Sequence, residues 1–128
     1  MREIKFRAYN KKTKTMISSD RLFAMSVFAL AEPLAKEPEN FIVLPNQENY
    51  PLMQYTGLHD KQGVEIYEGD IVKDTSVYVS GTITEIVYDI EVAGYWLKTE
   101  TSTNCLQSTN NKNYEVIGSI YENKELLR

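Results

Sequence analysis

Residues 52–73, LMQYTGLHDKQGVEIYEGDIVK, alternate short apolar runs with turn signals so closely that only short strands and tight turns fit them. Leu52, Met53 and Tyr55 form an apolar run that reaches Thr56-Gly57, where glycine's tolerance of positive φ suits a bend or bulge better than a strand centre. Asp60-Lys61-Gln62-Gly63 has Asp first and Gly fourth, the preference of a type I turn. Val64-Glu65-Ile66-Tyr67 then alternates, which places Val64 and Ile66 on one face and Glu65 and Tyr67 on the other. Glu68-Gly69-Asp70 turns the chain again before Ile71-Val72 open a buried strand. Strands this short, joined by tight turns, predict a small barrel rather than a broad open sheet.

The flanking sequence continues the pattern. Residues 3–8 alternate, with Ile4, Phe6 and Ala8 expected inward and Glu3, Lys5 and Arg7 outward, as in a half-buried antiparallel strand. Tyr9-Asn10-Lys11-Lys12 supplies a turn, and residues 13–17 return as the second strand of a hairpin. Ser18, Ser19 and Asp20 offer helix N-cap side chains. Beyond them Phe23, Val27, Leu30, Ala31 and Leu34 recur on one helical face, widened by Leu22 and Met25, which predicts a buried amphipathic helix over residues 21–31. Phe28 breaks the polar side, so a strand is the competing reading of the same residues. Pro33 and Pro38 end that element, residues 32–40 read as an exposed linker, residues 41–44 (FIVL) as a buried strand and residues 45–51 as a loop.

C-terminal to the central stretch, Asp74-Thr75-Ser76 reads as another turn. Val77, Val79, Gly81 and Ile83 alternate, and Ile86 and Tyr88 continue one residue out of phase, the trace of a β-bulge near Thr84-Glu85. Tyr95-Trp96-Leu97 form a strand after a turn at Ala93-Gly94. Residues 99–112, rich in Thr, Asn and Ser, read as an exposed excursion with a short strand around Cys105-Leu106. Residues 114–121 alternate once more, with Val116, Gly118 and Ile120 inward, and Asn123 is placed to cap a final short helix carrying Leu126 and Leu127.

Composition narrows the chemistry. The chain has 128 residues, enough for one domain or one domain with a substantial insertion, and nine Tyr with many Val, Ile and Thr favour strands. A single cysteine, Cys105, excludes an intrachain disulfide and fits a reducing cytoplasm. A single histidine, His59, excludes multi-His metal sites. The apolar run of residues 22–31 carries an Ala29-Leu30-Ala31 inside itself rather than after itself, and is far short of the about 20 apolar residues that span a bilayer, so no membrane segment is expected. The net charge of −4 conceals a polarity. Residues 1–21 carry Arg2, Lys5, Arg7, Lys11, Lys12, Lys14 and Arg21 against Glu3 and Asp20, a net +5, and the remainder carries −9.

Three stretches carry a family resemblance: the opening REIKFRAYNKKTKTM, the central QYTGL-x-D-x-x-G-x-EIYEGDIV and the closing EVIGSIYENKELL. In this order they resemble the YopX family of phage and prophage proteins, with a weaker match over residues 17–50 and 91–112. The resemblance implies a mostly β protein containing an SH3-like barrel, encoded by a bacteriophage or an integrated prophage. It brings no catalytic residues, and its pattern has a different residue at His59. The expected architecture is therefore mainly β: an N-terminal β-hairpin, short helix and strand over residues 1–51, packed in one compact unit against an SH3-like barrel over residues 52–128.

Candidate sites divide into weak chemistry and a charged surface. His59-Asp60 pairs an imidazole with a carboxylate but has no nucleophile or metal partner in sequence, so a turn Asp beside an exposed His is the simpler reading. Glu65, Glu68, Asp70 and Asp74 are a possible oxygen-ligand set for Mg²⁺ or Ca²⁺, without EF-hand spacing, and turn hydrogen bonds explain Glu68 and Asp70 as well. Gly57, Gly63 and Gly69 form neither a dinucleotide fingerprint nor a P-loop. The basic hairpin carries more: Lys5, Arg7, Lys11, Lys12 and Lys14 suit phosphate contacts or an acidic partner, and Tyr9, Tyr67, Tyr78 or Trp96 are candidates to stack bases. A solvated edge strand that uses Lys against aggregation is the structural alternative.

The sequence thus predicts a non-enzymatic cytoplasmic protein of a bacterial host, with no catalytic, cofactor-binding or metal residues and no small-molecule substrate. It acts through a protein partner or self-association as a homo-oligomer. Nucleic-acid binding by the basic hairpin is the second reading and a carboxylate-metal enzyme the third.

Overall fold

A computed structural model of the chain describes residues 3–22, 48–76, 81–99, 103–106 and 111–127. The linker of residues 32–40, the strand of residues 41–44, Tyr78 and most of the helix of residues 21–31 lie outside them. The protein is mainly β, with two antiparallel sheets, one of them curled into a half-barrel. Its strands are β1 (Phe6–Asn10), β2 (Thr15–Ile17), β3 (Leu52–His59), β4 (Glu65–Tyr67), β5 (Asp70–Asp74), β6 (Ile83–Asp89), β7 (Gly94–Lys98), β8 (Thr103–Cys105) and β9 (Tyr114–Ser119). The strand orders are β2-β1-β3-β4 and β8-β7-β6-β5-β9. By internal contacts the chain divides into two compact units, Lys5–Met53 and Met1–Ile4 with Gln54–Arg128.

In the unit Lys5–Met53, β1 and β2 form the expected hairpin, with Ala8 opposite Ile17 and Asn10 opposite Thr15. Asn10 holds the turn: its Oδ1 accepts the amides of Lys12 (3.0 Å) and Thr13 (3.2 Å), and its carbonyl accepts Lys14 N at 2.8 Å. Lys14 closes the loop in the left-handed region at φ 58°. Ala8, Ile17 and Leu22 form the small core, with Tyr50 and Leu52 packed on it. The alternation expected over residues 3–8 holds at its ends, with Glu3 exposed and Ala8 buried, and fails between them. Ile4 is 64% and Phe6 36% exposed, whereas Arg7 is half-buried with Nη2 3.6 Å from Met53 Sδ. The neighbours Ala8 and Tyr9 point to opposite faces and are both buried, so β1 is covered on both sides where it pairs, and a one-sided pattern cannot describe it. After β2, Ser18 caps a helix whose described residues are 19–22: Ser18 Oγ accepts Arg21 N at 3.4 Å and its carbonyl accepts Leu22 N at 2.9 Å.

The unit containing Gln54–Arg128 is built around the central stretch. β3 pairs with β4 with Tyr55 opposite Tyr67 and His59 opposite Glu65, so β3 holds two more residues than its partner over this span. Gly57, at φ 88°, is the bulge that the sequence predicts. The ladder bonds interrupted there are replaced by Thr56, whose hydroxyl donates to Ile66 O (2.7 Å) and accepts Leu58 N (3.2 Å). Val64, placed by the alternation on the same face as Ile66, does not share its burial. It sits before β4 at the end of the Asp60 turn and is 46% exposed, while Ile66 and Tyr67 are both buried.

Asp60 ties this region together. It is only 5% exposed; Oδ1 accepts the amides of Gln62 (2.8 Å) and Val64 (2.9 Å), and Oδ2 accepts Val116 N of β9 at 2.9 Å. Its main chain closes the turn, with Gly63 N donating to Asp60 O (3.1 Å) and Asp60 N to Val64 O (2.8 Å). The next turn is fixed the same way: Asp70 Oδ2 accepts Tyr67 N (2.8 Å), and Gly69 donates to Ile86 O (2.7 Å) while its carbonyl accepts Ile120 N (2.8 Å).

β5 carries the sheet's fully buried pair, Ile71 and Val72, and pairs with β6 without interruption through Ile71–Glu85, Val72–Thr84 and Lys73–Ile83. The bulge expected near Thr84-Glu85 is therefore absent. β6 starts at Ile83, and Gly81, at φ 92°, belongs to the turn before it, so the change of phase marks a strand end. The irregularity lies instead between β5 and β9, where Ile71 faces Gly118 but Val72 faces Val116, leaving Ile117 extra. That slip also shifts the β9 burial pattern: Tyr114 and Ser119 are buried, and Val116, Gly118 and Ile120 are half-buried. Ile66, Val72, Ile86, Leu97, Leu106 and Tyr114 form the core of this unit. The C-terminal element is a 3-10 helix, Lys124–Leu127, with Leu126 and Leu127 half-buried. Asn123 does not cap it with its side chain; Oδ1 turns back to accept Ser119 N at 3.4 Å.

Removing the Asp60 carboxylate strands three main-chain amides on two elements at once. Asp60→Ala is expected to lower the unfolding free energy by about 3–5 kcal/mol. Asp60→Asn keeps one acceptor but turns an NH2 toward another amide, and should lose a large part of the same stability. Denaturant unfolding of the three proteins checks this, and a loss below about 1 kcal/mol for Asp60→Ala would show that the turn forms without it.

Candidate functional site

The predicted basic cluster separates on folding. Lys11, Lys12 and Lys14 are exposed together on the β1–β2 turn, whereas Lys5 and Arg7 are half-buried on and before β1. The described aromatics among those proposed to stack bases are not exposed. Tyr9 and Tyr67 are buried (7% and 6% exposed) and Trp96 is half-buried. What the hairpin presents is three ammonium groups on a turn held by Asn10.

The acidic residues serve the main chain. Asp60 and Asp70 accept amides as described; Glu68 Oε1 accepts Gln54 N at 2.8 Å and Asp74 Oδ1 accepts Ser76 N at 2.7 Å. Glu65 accepts the hydroxyl of Tyr67 at 3.3 Å. Among the described residues no three His, Cys, Asp or Glu gather as a metal site. His59 is exposed and turned away from chemistry with Asp60: its ring stands edge-on to Tyr55, centroids 5.8 Å apart, with the Tyr55 hydroxyl 3.2 Å from Nδ1. Cys105 ends β8.

A cleft of about 500 Å³ opens in the same unit, lined by Gln54 and Thr56 of β3, Glu68 of the following turn, Tyr88 of β6, and Ala93, Gly94 and Tyr95 of the β6–β7 hairpin. Tyr88 and Tyr95 face each other across the β6–β7 pair, with centroids 5.3 Å apart and planes at 67°. The hairpin beside it repeats the β1–β2 design. Asp89 Oδ1 accepts Glu91 N at 2.9 Å, Ala93 is left-handed at φ 50°, and Asp89 pairs with Gly94. Two aliphatics stand exposed at its tip on either side of Glu91, Ile90 at 84% and Val92 at 55%, and Tyr88 of β6 is 44% exposed.

The sequence reading missed this cleft. The turn at Ala93-Gly94 was legible, but the loop has four residues, 90–93, and only that register sets Tyr88 opposite Tyr95. An Asp two residues ahead of Glu91, placed like Asn10 ahead of Lys12, was the available signal.

The field around the Glu68 turn is negative. Burial is the main cause that holds Tyr121 above the ordinary tyrosine range, and the charges of Glu68 and Glu85 add to it. Tyr114 is raised as well, by burial first and by Asp74 second.

Two antiparallel sheets, one of them curled into a half-barrel, define a small mainly-β protein. The chain belongs to the YopX protein family, whose pattern matches residues 5–128 and so covers the stretches where the resemblance is weaker. The crystal structure of protein EF1440 from Enterococcus faecalis is similar over 100% of both chains, with 25% identity and a TM-score of 0.64. No curated protein matches the chain. No helix among the described residues is long and apolar enough to cross a membrane.

Both raised tyrosines are neutral in the folded protein at a pH where an unfolded tyrosine ionises. Their contribution to stability is full below about pH 10 and is lost as pH rises through their higher folded values. Stability should therefore fall above about pH 10, and phenolate absorbance should show Tyr121 and Tyr114 titrating late in the folded state. Tyr121→Phe and Tyr114→Phe should each flatten that fall.

Proposed function

We propose that this is a phage- or prophage-encoded, non-enzymatic protein that works through protein–protein contacts in the cytoplasm of a bacterial host. The observation that carries the reading is the pair of exposed aliphatics at the tip of the β6–β7 hairpin. Ile90 and Val92 stand 84% and 55% exposed on a loop fixed by Asp89. Clustered exposed aliphatics at a rigid tip are costly in water and are covered in a complex. The engagement of Asp60, Glu68, Asp70 and Asp74 with main-chain amides supports the non-enzymatic part, because these carboxylates already have structural partners. Phage origin rests on the family resemblance.

A second reading is accessory nucleic-acid binding, favoured by the gathering of Lys11, Lys12 and Lys14 on one exposed turn. Two measurements separate the readings. Association with itself or with a host protein should weaken at least about tenfold in Ile90→Asp/Val92→Asp, with the circular dichroism of the fold unchanged. Anisotropy of labelled DNA and RNA should show no complex at moderate salt. A nucleic-acid complex that dissolves steeply with salt and is lost in Lys11→Ala/Lys12→Ala would put the second reading first.

A further inference from the structure

We propose that the tyrosine cleft is a receptor for a lysine side chain, and that its occupant is the Lys11-Lys12-Thr13-Lys14 turn of a second copy of this chain. The inference rests on the contact-based reading and names a partner for it.

The cleft has the parts a primary ammonium needs. Tyr88 and Tyr95 both line it, with ring planes at 67° rather than stacked, and the negative face of such a ring is the part that attracts a cation. Glu68 supplies a carboxylate in the same wall, and Gln54 a side-chain amide. A cation over aromatic faces with a carboxylate behind them is favoured by the ring quadrupole and by direct charge. The volume of about 500 Å³ admits a long aliphatic stem, and Ala93 and Gly94 keep one wall low. Ile90 and Val92, on the same hairpin as the cleft's Ala93, are exposed apolar surface for the methylenes of neighbouring lysines.

Charge complementarity selects the occupant. Residues 1–21 carry a net +5 and the remainder −9, so the chain holds both halves of the contact. The lysine turn is also preorganised. Asn10 Oδ1 fixes its amides and Lys14 is locked at φ 58°, so little conformational freedom is left to lose on docking. A turn that enters a cleft elsewhere on the next copy makes a heterologous contact, which extends head to tail or closes into a ring.

Sedimentation velocity of the full chain at about 20 mM and about 300 mM salt is the test. Wild type should self-associate at low salt and dissociate at high salt. Glu68→Gln keeps an oxygen to accept Gln54 N while removing the charge, and should associate at least about tenfold more weakly. Lys11→Ala/Lys12→Ala/Lys14→Ala should do the same. Mixing the two variants should restore a single 1:1 complex, since one supplies an intact turn and the other an intact cleft. Tyr88→Ser provides a second cleft variant with Glu68 untouched, and should behave like Glu68→Gln.

A wild type that stays monomeric at both salts overturns the inference. So does association that survives the cleft and lysine variants, or variants that fail to complement. Association lost only in Ile90→Asp/Val92→Asp would reject the lysine receptor and leave the contact-based function standing.

Discussion

The Asp60 carboxylate is the interaction on which the larger unit depends. A buried charge at a strand end is unfavourable unless it is fully hydrogen-bonded, and here two oxygens accept three amides. Two of those amides shape the turn into β4, and the third belongs to β9, more than fifty residues downstream. One side chain therefore ties a local turn of one sheet to a strand of the other. Lys61 repeats the connection on either side of it, with its amide on Tyr114 O at 3.0 Å and its ammonium 3.7 Å from Glu115. The exposed ion pair adds little beside the buried one-to-three arrangement. The Glu68-Gly69-Asp70 turn uses the same device one step further along. Together the two turns consume most of the acidic groups from which chemistry was conceivable.

That economy explains which parts of the fold were legible in the sequence. Asp60 at the first turn position and Gly63 at the fourth announced the turn, because both preferences are local: an Asx side chain reaching back to nearby amides and a residue free to take positive φ. Gly57 announced its bulge for the same reason. The Val116 contact was invisible, since nothing in a local window says that the second oxygen of Asp60 is reserved for a strand paired with β5. The misplaced bulge has a related cause. A change of phase at Ile86 is the same one-dimensional signal whether a strand slips or has only just begun at Ile83, and the real slip at Ile117 leaves an alternating sequence behind it.

The surface was legible in charge but not in geometry. The lysines of the β1–β2 turn could be named in advance, yet Lys5 and Arg7 could not be separated from them. Separation depends on β1 being covered on both faces at Ala8 and Tyr9 and on Met53 standing beside Arg7. Conversely, the pairing of Tyr88 with Tyr95 needs a loop length that composition does not encode. The sequence of residues 90–93, IEVA, contains no glycine to mark its left-handed position, which falls on Ala93.

The two hairpins show how this fold separates stability from contact. In each, an Asx residue at the strand end accepts the amide two residues ahead, and a non-glycine residue at the fourth loop position takes the left-handed conformation. A left-handed alanine or lysine is disfavoured by about 1–2 kcal/mol relative to right-handed backbone. The frame around it must compensate, through the Asx hydrogen bonds and the strand pairs that close the loop. Once the frame carries the turn, the side chains at the first two loop positions are left to the surface, while at the third Thr13 also hydrogen-bonds Thr15 (Oγ1 to Oγ1, 2.7 Å). One loop presents Lys-Lys-Thr and the other Ile-Glu-Val, so the same backbone solution yields a cationic tip and one with two exposed aliphatics. One backbone design therefore carries tips of different chemistry on the two hairpins.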